Sequence, residues 1–407
     1  MTYNHPPDPP FLISWNITAQ CNLKCGHCYI DANDAGNSDE TSPEEALRFI
    51  DEIASLAPGA MLILTGGEPL LRPDVFDIAK TAASKGLTVV LGSNGTLIDD
   101  NVAGRLQASG IKGVGLSLDS PSAEYHDAFR GMIGAWTKTM AAARALRNAG
   151  MEFQFQFTAT TANRHGIPEM ARLAWEAGAI ALNVFFLVCT GRGQKASDLT
   201  PVEYEDTLNL IVRTEEEYRG RIMVRARCAP HILRIISSAS PNSPLGRGAT
   251  SGCIAGKGYM RISPTGHVTP CPYIPVEPHT PSIRQRRLRD IWEHDPVFLA
   301  LRQPEHKGRC GDCEFSDLCG GCRAKAYAST RDLMAEDPWC QYVPKGRKPA
   351  LRTDAPVWTA AASKRLAEAP VFLRTMIKSG VERYARHNSI TEITPELMAV
   401  LKRRMGR

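Results

Sequence analysis

The chain has 407 residues, 43% of them apolar and 22% charged, with a net charge of +5. These values predict an ordinary globular protein of two or three domains with a sizeable core, and they leave no dedicated nucleic-acid surface. No apolar run approaches the ~18 residues of a membrane span, and Met1 to Pro10 carry no basic-then-apolar leader, so a cytoplasmic location is expected.

Twelve cysteines in a reducing compartment point to metal rather than disulfides. A first predicted strand, Leu12–Thr18, leads into Cys21-Asn22-Leu23-Lys24-Cys25-Gly26-His27-Cys28. Three thiols this close cannot all pair. They can wrap a compact cluster, because thiolate is the common protein ligand of iron–sulfur centres. Three ligands on a four-iron cube leave one iron open, and an open coordination position is where chemistry happens. A zinc knuckle or buried free cysteines remain alternatives at this point.

Strand and helix patterns then alternate. Further strands are predicted at Met61–Thr65, Thr88–Gly92, Gly113–Leu118, Phe153–Thr160 and Ala181–Val188. Helices are predicted at Ser42–Leu56, Pro73–Lys85, Asp99–Ser109, Ala135–Asn148 and Ile167–Ala177, several ending at glycine. Repeated strand–helix units imply a parallel sheet, with function at the carboxyl ends of its strands. Those ends carry Thr65-Gly66-Gly67-Glu68-Pro69, Ser93-Asn94-Gly95-Thr96 and Ser117-Leu118-Asp119. The glycines are expected to let the backbone approach a ligand. Arg130 follows, and its guanidinium suits a carboxylate. On the fifth strand Gln154, Gln156 and Thr158 alternate with Phe153, Phe155 and Phe157, which sends the polar set to one face. Cys189-Thr190-Gly191-Arg192-Gly193 reads as a turn or an anion site, and a helix is expected from Thr200 to about Arg219.

The first cysteine stretch resembles the signature of the radical S-adenosylmethionine (radical SAM) superfamily, with His27 where that family usually has another aromatic ring. Gly66-Gly67-Glu68-Pro69 matches the family's GGEP motif. The resemblance implies an α/β fold, a partial (β/α)6 barrel, with a [4Fe–4S] cluster on Cys21, Cys25 and Cys28. It implies that Gly66, Gly67, Glu68 and Pro69 bind the SAM amino group. Ser93, Asn94, Ser117, Asp119, Arg130 and Gln156 are further candidate SAM contacts, with Arg130 on the SAM carboxylate.

Cysteines return at Cys253, Cys271, Cys310, Cys313, Cys319, Cys322 and Cys340. Paired CxxC units are a strong metal signal, with four-thiolate zinc as the plain alternative. This field resembles the SPASM auxiliary-cluster domain, with Cys319 and Cys322 separated by two glycines where three residues are common. The resemblance implies one [4Fe–4S] cluster on Cys310, Cys313, Cys319 and Cys340. It implies another on Cys253, Cys271 and Cys322, with its fourth position open or filled by Cys228. The text from Cys319 to Tyr327 and from Glu336 to Cys340 resembles enzymes of the alternative heme pathway and of heme d1 synthesis. After a linker at 345–356, residues 357–407 read as a small three-helix module, with Pro370 and Thr394 at helix starts. Its segments resemble the C-terminal domain of the light-independent protochlorophyllide reductase B subunit.

The expectation is therefore a barrel over 1–225, an auxiliary domain over 226–344 and the C-terminal module. A tetrapyrrole is the expected substrate, with propionates held by Arg192 or an arginine of the 219–234 stretch. An electron donor such as flavodoxin or ferredoxin is expected. Peptide maturation and a non-catalytic iron–sulfur or zinc scaffold are the rival readings.

Overall fold

The computed structural model describes residues 7–188, 190–195, 199–239, 243, 252–346, 356–369, 374, 377–378, 380–382, 384–385 and 390–404. Its centre is a nine-stranded sheet. The strands are β1 (Leu12–Thr18), β2 (Met61–Gly66), β3 (Thr88–Ser93), β4 (Gly113–Ser117), β5 (Glu152–Ala159), β6 (Ala181–Phe186), β7 (Met223–Arg227), β8 (Tyr259–Ile262) and β9 (Val268–Thr269). The connecting helices are α1 (Pro43–Leu56), α2 (Val75–Ser84), α3 (Asp100–Ala108), α4 (Ala123–Arg130), α5 (Ala135–Asn148), α6 (Ile167–Ala177) and α7 (Pro201–Tyr218). β1, α5 and α6 have the expected bounds. α4 and β7 to β9 go beyond the elements read from sequence.

Strand order is β7-β6-β5-β4-β3-β2-β1-β8-β9, with β1 to β7 parallel and in chain order. Right-handed crossovers that always step the same way put every helix on one face. A doubly wound sheet would reverse direction and cover both faces. Here the helical face holds the core: Ile13, Trp15 and Ile17 from β1, Phe153, Phe155 and Phe157 from β5, and Leu182, Val184 and Phe186 from β6 meet helix residues such as Phe49, Ile53, Leu146, Met170 and Leu208. The opposite face carries Ser14, Asn16, Thr18, Gln154, Gln156, Thr158, Asn183, Arg225 and Arg227 by strand alternation. The sheet has an apolar outside and a polar inside.

Local chemistry sets the helix starts. Ser42 caps α1 in a capping box with Glu45, and Thr200 does the same for α7 with Glu203. Each is followed by proline at the first helical position, where no N–H is needed.

There is no break in the sheet at residue 225, which lies inside β7. β8 pairs parallel with β1, and β9 pairs antiparallel with β8, so the segment after β7 continues the other edge of the same sheet. The C-terminal module has its own small core around Ala362, Val381, Ala385, Ile393 and Leu401. To helices Ala360–Ala367 and Pro395–Arg404, with helical residues also at 374, 377–378, 380–382 and 384–385, it adds a parallel two-stranded sheet of Val357–Trp358 and Glu392–Ile393. Thr394 caps the last helix, accepting at Oγ1 from the Leu397 N–H at 3.3 Å. The expected start at Pro370 lies outside the described residues.

Phe155 is 0% exposed between the sheet and its helices. Phe155→Ala is expected to lower the unfolding free energy by about 3–5 kcal/mol. Ile133→Ser, at a position 95% exposed, should change it by less than about 0.5 kcal/mol. Urea unfolding of the anaerobic protein reads both.

Candidate functional site

The cysteine loop fills the connection from β1 to α1. Cys21 and Cys25 are buried with Leu23 and Ala32, and Cys28, Ile30 and Met132 pack against them. Backbone N–H groups point at two sulfurs: Leu23 to Cys21 Sγ at 3.4 Å and Ala32 to Cys28 Sγ at 3.4 Å. The third, Cys25 Sγ, lies 3.8 Å from Arg130 Nη1. Such donors stabilise thiolate. Burial pushes the Cys21 thiol up to about 11 and raises Cys25 as well. A bound metal displaces those protons, and the donors then serve the sulfur charge.

The loop is fastened at three places. Cys21 N–H donates to Asn33 O at 2.7 Å. Arg192 donates through Nε to Cys25 O at 3.1 Å and through Nη1 to Ala32 O at 2.7 Å, and its own N–H reaches Cys28 O at 3.0 Å. This corrects the reading of Arg192 as a propionate holder: its guanidinium clamps the cysteine loop. Cys189, in the same stretch, lies outside the described residues.

The third fastening is the stretch Gly66–Pro69. Gly67 N–H donates to Thr18 O and Glu68 N–H to Gln20 O, each at 2.8 Å. A Cβ at Gly66 or Gly67 would run into the backbone of Thr18 or Gln20. These glycines admit the close approach of the backbone at Thr18 and Gln20. Glu68 is fully buried. It accepts from Asn94 N–H at 2.8 Å, Leu70 N–H at 3.2 Å and Ser93 Oγ at 2.9 Å. Burial still raises its carboxyl to about 7, against the pull of those donors. Asn94 Nδ2 donates to Asn22 Oδ1 at 2.9 Å, which ties the β3 turn to the cysteine loop as well.

Asp119 and Arg130 form the other polar centre. Both Nε and Nη2 of Arg130 lie 2.6 Å from Asp119 Oδ2, and Thr158 N–H donates to Asp119 Oδ1 at 2.8 Å. Burial opposes the charge on Asp119. The Arg130 guanidinium outweighs it and holds the carboxyl below its ordinary value. Arg130 is thus a buried cation bridging Asp119 and Cys25, where the sequence left it between a carboxylate partner and the surface. His126 Nδ1 accepts the Asp119 N–H at 3.2 Å. His27 stacks flat on Phe129, with ring centroids 4.3 Å apart and planes 5° apart. Ser117 and Gln156 pair in register across β4 and β5 on the inner face. Gln156 lies over Gly115, whose missing Cβ leaves its place.

The remaining cysteines divide into two groups. Cys310, Cys313, Cys319 and Cys340 line one pocket with Arg234, Phe315, Asp337 and Tyr342. N–H groups of Asp337, Phe315 and Gly321 point at Cys310, Cys313 and Cys319 at 3.5, 3.4 and 3.4 Å. Cys228, Cys253, Cys271 and Cys322 form the other group, each within electrostatic reach of others in it. Burial is the main cause that raises the Cys228 thiol to about 11 and the Cys271 and Cys322 thiols well above the ordinary range. Cys228 has φ of 58°, a backbone conformation that non-glycine residues rarely adopt and that clusters at functional sites. The sequence offered Cys228 only as a possible fourth member, because it stands outside every spaced motif.

Two consecutive left-handed glycines, Gly320 at φ 64° and Gly321 at φ 66°, turn the chain so that Cys319 and Cys322 join different groups. Asp337 sits between the groups, fully buried. It accepts from Cys322 N–H at 2.6 Å and Trp339 N–H at 3.0 Å, and His231 Nε2 is 3.3 Å away. Tyr204 OH lies 3.0 Å from His231 Nδ1. No short motif marks this Tyr204–His231–Asp337 chain, and sequence reasoning missed it. Cys228 follows β7 and Cys271 follows β9, so this group joins the two open edges of the sheet. Tyr29, next to Cys28, contacts Tyr273 at 5.3 Å between ring centroids and links the two cysteine regions.

A tetrahedral zinc needs its thiolates about 2.3 Å from one point. Among the described residues no three His, Cys, Asp or Glu side chains make such a single-ion site. A cluster is held from around a larger cube and makes no such demand. No disulfide joins any of the eleven described cysteines, and buried thiols faced by N–H donors fit that group.

Residues 15–174 match the radical SAM superfamily model, residues 253–314 the iron-sulfur cluster-binding SPASM domain, and residues 358–402 the proto-chlorophyllide reductase 57 kD subunit. The chain is 42% identical to an AdoMet-dependent heme synthase of Methanosarcina barkeri, over 83% of this chain and 98% of that protein. The chain belongs to the radical SAM superfamily. It is also 32% identical to a pre-heme d1 synthase of Dinoroseobacter shibae, over 82% of this chain and 86% of that protein. Its fold matches that of Streptococcus suis SuiB bound to S-adenosylmethionine, with a TM-score of 0.68 at 17% identity over 82% of this chain and 78% of that one. This radical SAM enzyme has a SAM-binding [4Fe–4S] cluster and SAM as cofactors, and its SPASM domain binds auxiliary [4Fe–4S]. No helix among the described residues is long and apolar enough to cross a membrane.

Glu68 gives a pH signature. Its folded-state carboxyl at about 7 stands above its ordinary 4.5, so between those values the folded state keeps a proton that the unfolded chain has lost. Stability from this group falls as pH rises through that window. In SAM-free protein, wild type should lose stability relative to Glu68→Gln between pH 5.5 and 7.5, as read by urea unfolding at the two values. A flat difference would refute the assignment.

Proposed function

We propose that this radical SAM enzyme modifies a tetrapyrrole at a propionate side chain during synthesis of a heme-type cofactor. The observation that carries the substrate is the 42% identity over 98% of the length of a protein named AdoMet-dependent heme synthase. The pre-heme d1 synthase and the protochlorophyllide reductase segment lean the same way. The rival peptide reading rests on more distant relatives, such as a mycofactocin maturase of Mycobacterium ulcerans at 30% identity over 83% of this chain.

We assign Cys21, Cys25 and Cys28 to the SAM-binding cluster. Cys310, Cys313, Cys319 and Cys340 take one auxiliary cluster, and Cys253, Cys271 and Cys322, with Cys228 as fourth ligand, take the other. Gly66, Gly67, Glu68, Pro69, Ser93, Asn94, Ser117, Asp119, Arg130 and Gln156 surround the SAM position. The assignment divides the chain into the barrel, its expected end at 225 moved to the end of β7, the auxiliary domain from there to 344, a linker (345–356) and the C-terminal module (357–407), in a cytoplasmic protein served by a flavodoxin or ferredoxin.

When bound, these cofactors supply one electron to split SAM into methionine and a 5′-deoxyadenosyl radical, and an acceptor for the electron left on the product. The chain's own residues do the rest. Glu68, buried among N–H and O–H donors, offers the acceptor for an ammonium. Arg130, held by Asp119, keeps a cation beside Cys25 for a carboxylate. Ser117 and Gln156 give polar contacts on the inner face. Conversion of a propionate to a vinyl group releases carbon dioxide, one hydrogen atom and one electron. The hydrogen leaves to the adenosyl carbon, and the electron needs an acceptor at the same face, where Cys228 and Cys271 stand.

Reconstituted anaerobic protein with SAM, dithionite and Fe-coproporphyrin III is expected to yield 5′-deoxyadenosine and a product lighter by the lost carboxyl groups. Cys25→Ala should reduce both to background. Formation of 5′-deoxyadenosine with no change in Fe-coproporphyrin III or in siroheme-derived precursors would overturn the tetrapyrrole substrate.

A further inference from the structure

We propose that Arg225 and Arg227, on the inner face of β7, form a carboxylate-binding subsite that anchors a propionate of the substrate. The proposal rests on the tetrapyrrole reading and names where that molecule is held. Strand alternation gives the orientation. Val224 belongs to the core under the helices and Ala226 packs against it, so Arg225 and Arg227 project from the opposite, bare face. Arg225 is half-buried and Arg227 exposed.

These arginines differ from those of the chain that are held in ion pairs. Arg130, Arg219, Arg234, Arg284 and Arg309 each have a carboxylate partner. Among the described residues, Arg225 and Arg227 have none. Arg227 donates only through Nε, to Asn183 Oδ1 at 2.9 Å. Asn183 Nδ2 in turn donates to Gln154 Oε1 at 2.8 Å. This fixes the Arg227 plane and leaves its two terminal nitrogens for a ligand. Arg225 reaches Met223 Sδ, a weak acceptor. Two cations set close on one strand repel each other, and among the described residues no carboxylate pairs with either; only the Cys228 sulfur, as thiolate, offsets Arg227. A guanidinium fork takes a carboxylate in two parallel hydrogen bonds.

The register places the subsite usefully. Arg225 pairs with Asn183, Asn183 with Gln156, and Gln156 with Ser117. That row runs three strand spacings along the sheet, about 14 Å, from the cations to the candidate SAM contact on β4. A ligand anchored at β7 and attacked near β4 must cover that span with a carboxylate at one end. A macrocycle with peripheral propionates does so, and a single amino acid does not. Arg227 also precedes Cys228, so the anchored end lies beside that auxiliary cysteine group.

The test is a Soret-absorbance titration of the anaerobic holoenzyme with Fe-coproporphyrin III and with its tetramethyl ester. Wild type, Arg225→Gln, Arg225→Lys, Arg227→Gln and the double glutamine variant are compared, with iron content as the folding control. Each glutamine variant should raise Kd for the free acid about tenfold or more, the value of one charged hydrogen-bonded contact. Arg225→Lys should lie between wild type and Arg225→Gln. Kd for the ester should be the same in all. If Arg227→Gln loses iron through its neighbour Cys228, the Arg225 pair decides alone. An unchanged Kd for the acid, or an equal loss with acid and ester, overturns the subsite while leaving the tetrapyrrole reading intact. Wild type that binds neither compound overturns that reading, and the subsite with it.

Discussion

One face of the sheet has no helices, and the rest of the molecule follows from that constraint. Strands β1 to β7 run in unbroken spatial order, so every right-handed crossover falls on the same side. The covered face can be wholly apolar, and Phe153, Phe155 and Phe157 show it on one strand. The bare face must tolerate water or a ligand, and it holds amides, hydroxyls and arginines. Curling the sheet around that face makes an interior, and the cysteine groups then sit at its rims. The first group is at the β1 end, pinned by Gly66, Gly67 and Arg192. Another, with Cys228 and Cys271, stands where the sheet's two edges approach. The auxiliary cysteines thus have an architectural role beside their chemical one, because they span the gap that hydrogen bonds leave open.

Charge inside this structure is held in a few networks, each anchored by a fully buried acid. Asp119 holds Arg130 against Cys25, and Asp337 holds Cys322 and Trp339 between the two auxiliary groups. Removing one partner from such a network leaves a buried charge uncompensated, which costs more than the pair is worth. Buried Lys325 lies over the rings of Tyr204 at 4.5 Å and Trp339 at 4.3 Å, which adds a cation beside the same region. The thiols stand among these groups with N–H donors aimed at them. That environment favours sulfur charge when metal neutralises it and favours protonation when it does not.

Much of this was legible in the sequence where local physics decides. β1, α5 and α6 have strong periodicity, and caps such as Ser42 mark their own helix, so those bounds were readable. The cysteine spacing and Gly66–Pro69 pointed to the cofactor, and the glutamine–phenylalanine alternation of β5 pointed to the inner face. What was hidden depends on distant partners. β7 reads Met-Val-Arg-Ala-Arg and looks like a basic loop until β6 pairs with it. α4 has only eight residues, and the ones it buries are His126 and Arg130. Nothing local shows that Gly66 and Gly67 also make room for the backbone of Thr18 and Gln20. Arg192 looked like a free cation for the same reason: its acceptors, Cys25 and Ala32, lie far back in the chain. The partition of the auxiliary cysteines turns on the Gly320–Gly321 reversal and on Cys228, and spacing alone encodes neither outcome.

The central claim is that a propionate carbon of a tetrapyrrole lies against the SAM position on this bare face. Turnover of Fe-coproporphyrin III deuterated in its propionate side chains tests it most directly, with mass analysis of the 5′-deoxyadenosine released. The account predicts one equivalent of singly deuterated 5′-deoxyadenosine for each propionate converted. Unlabelled 5′-deoxyadenosine alongside converted product would contradict it.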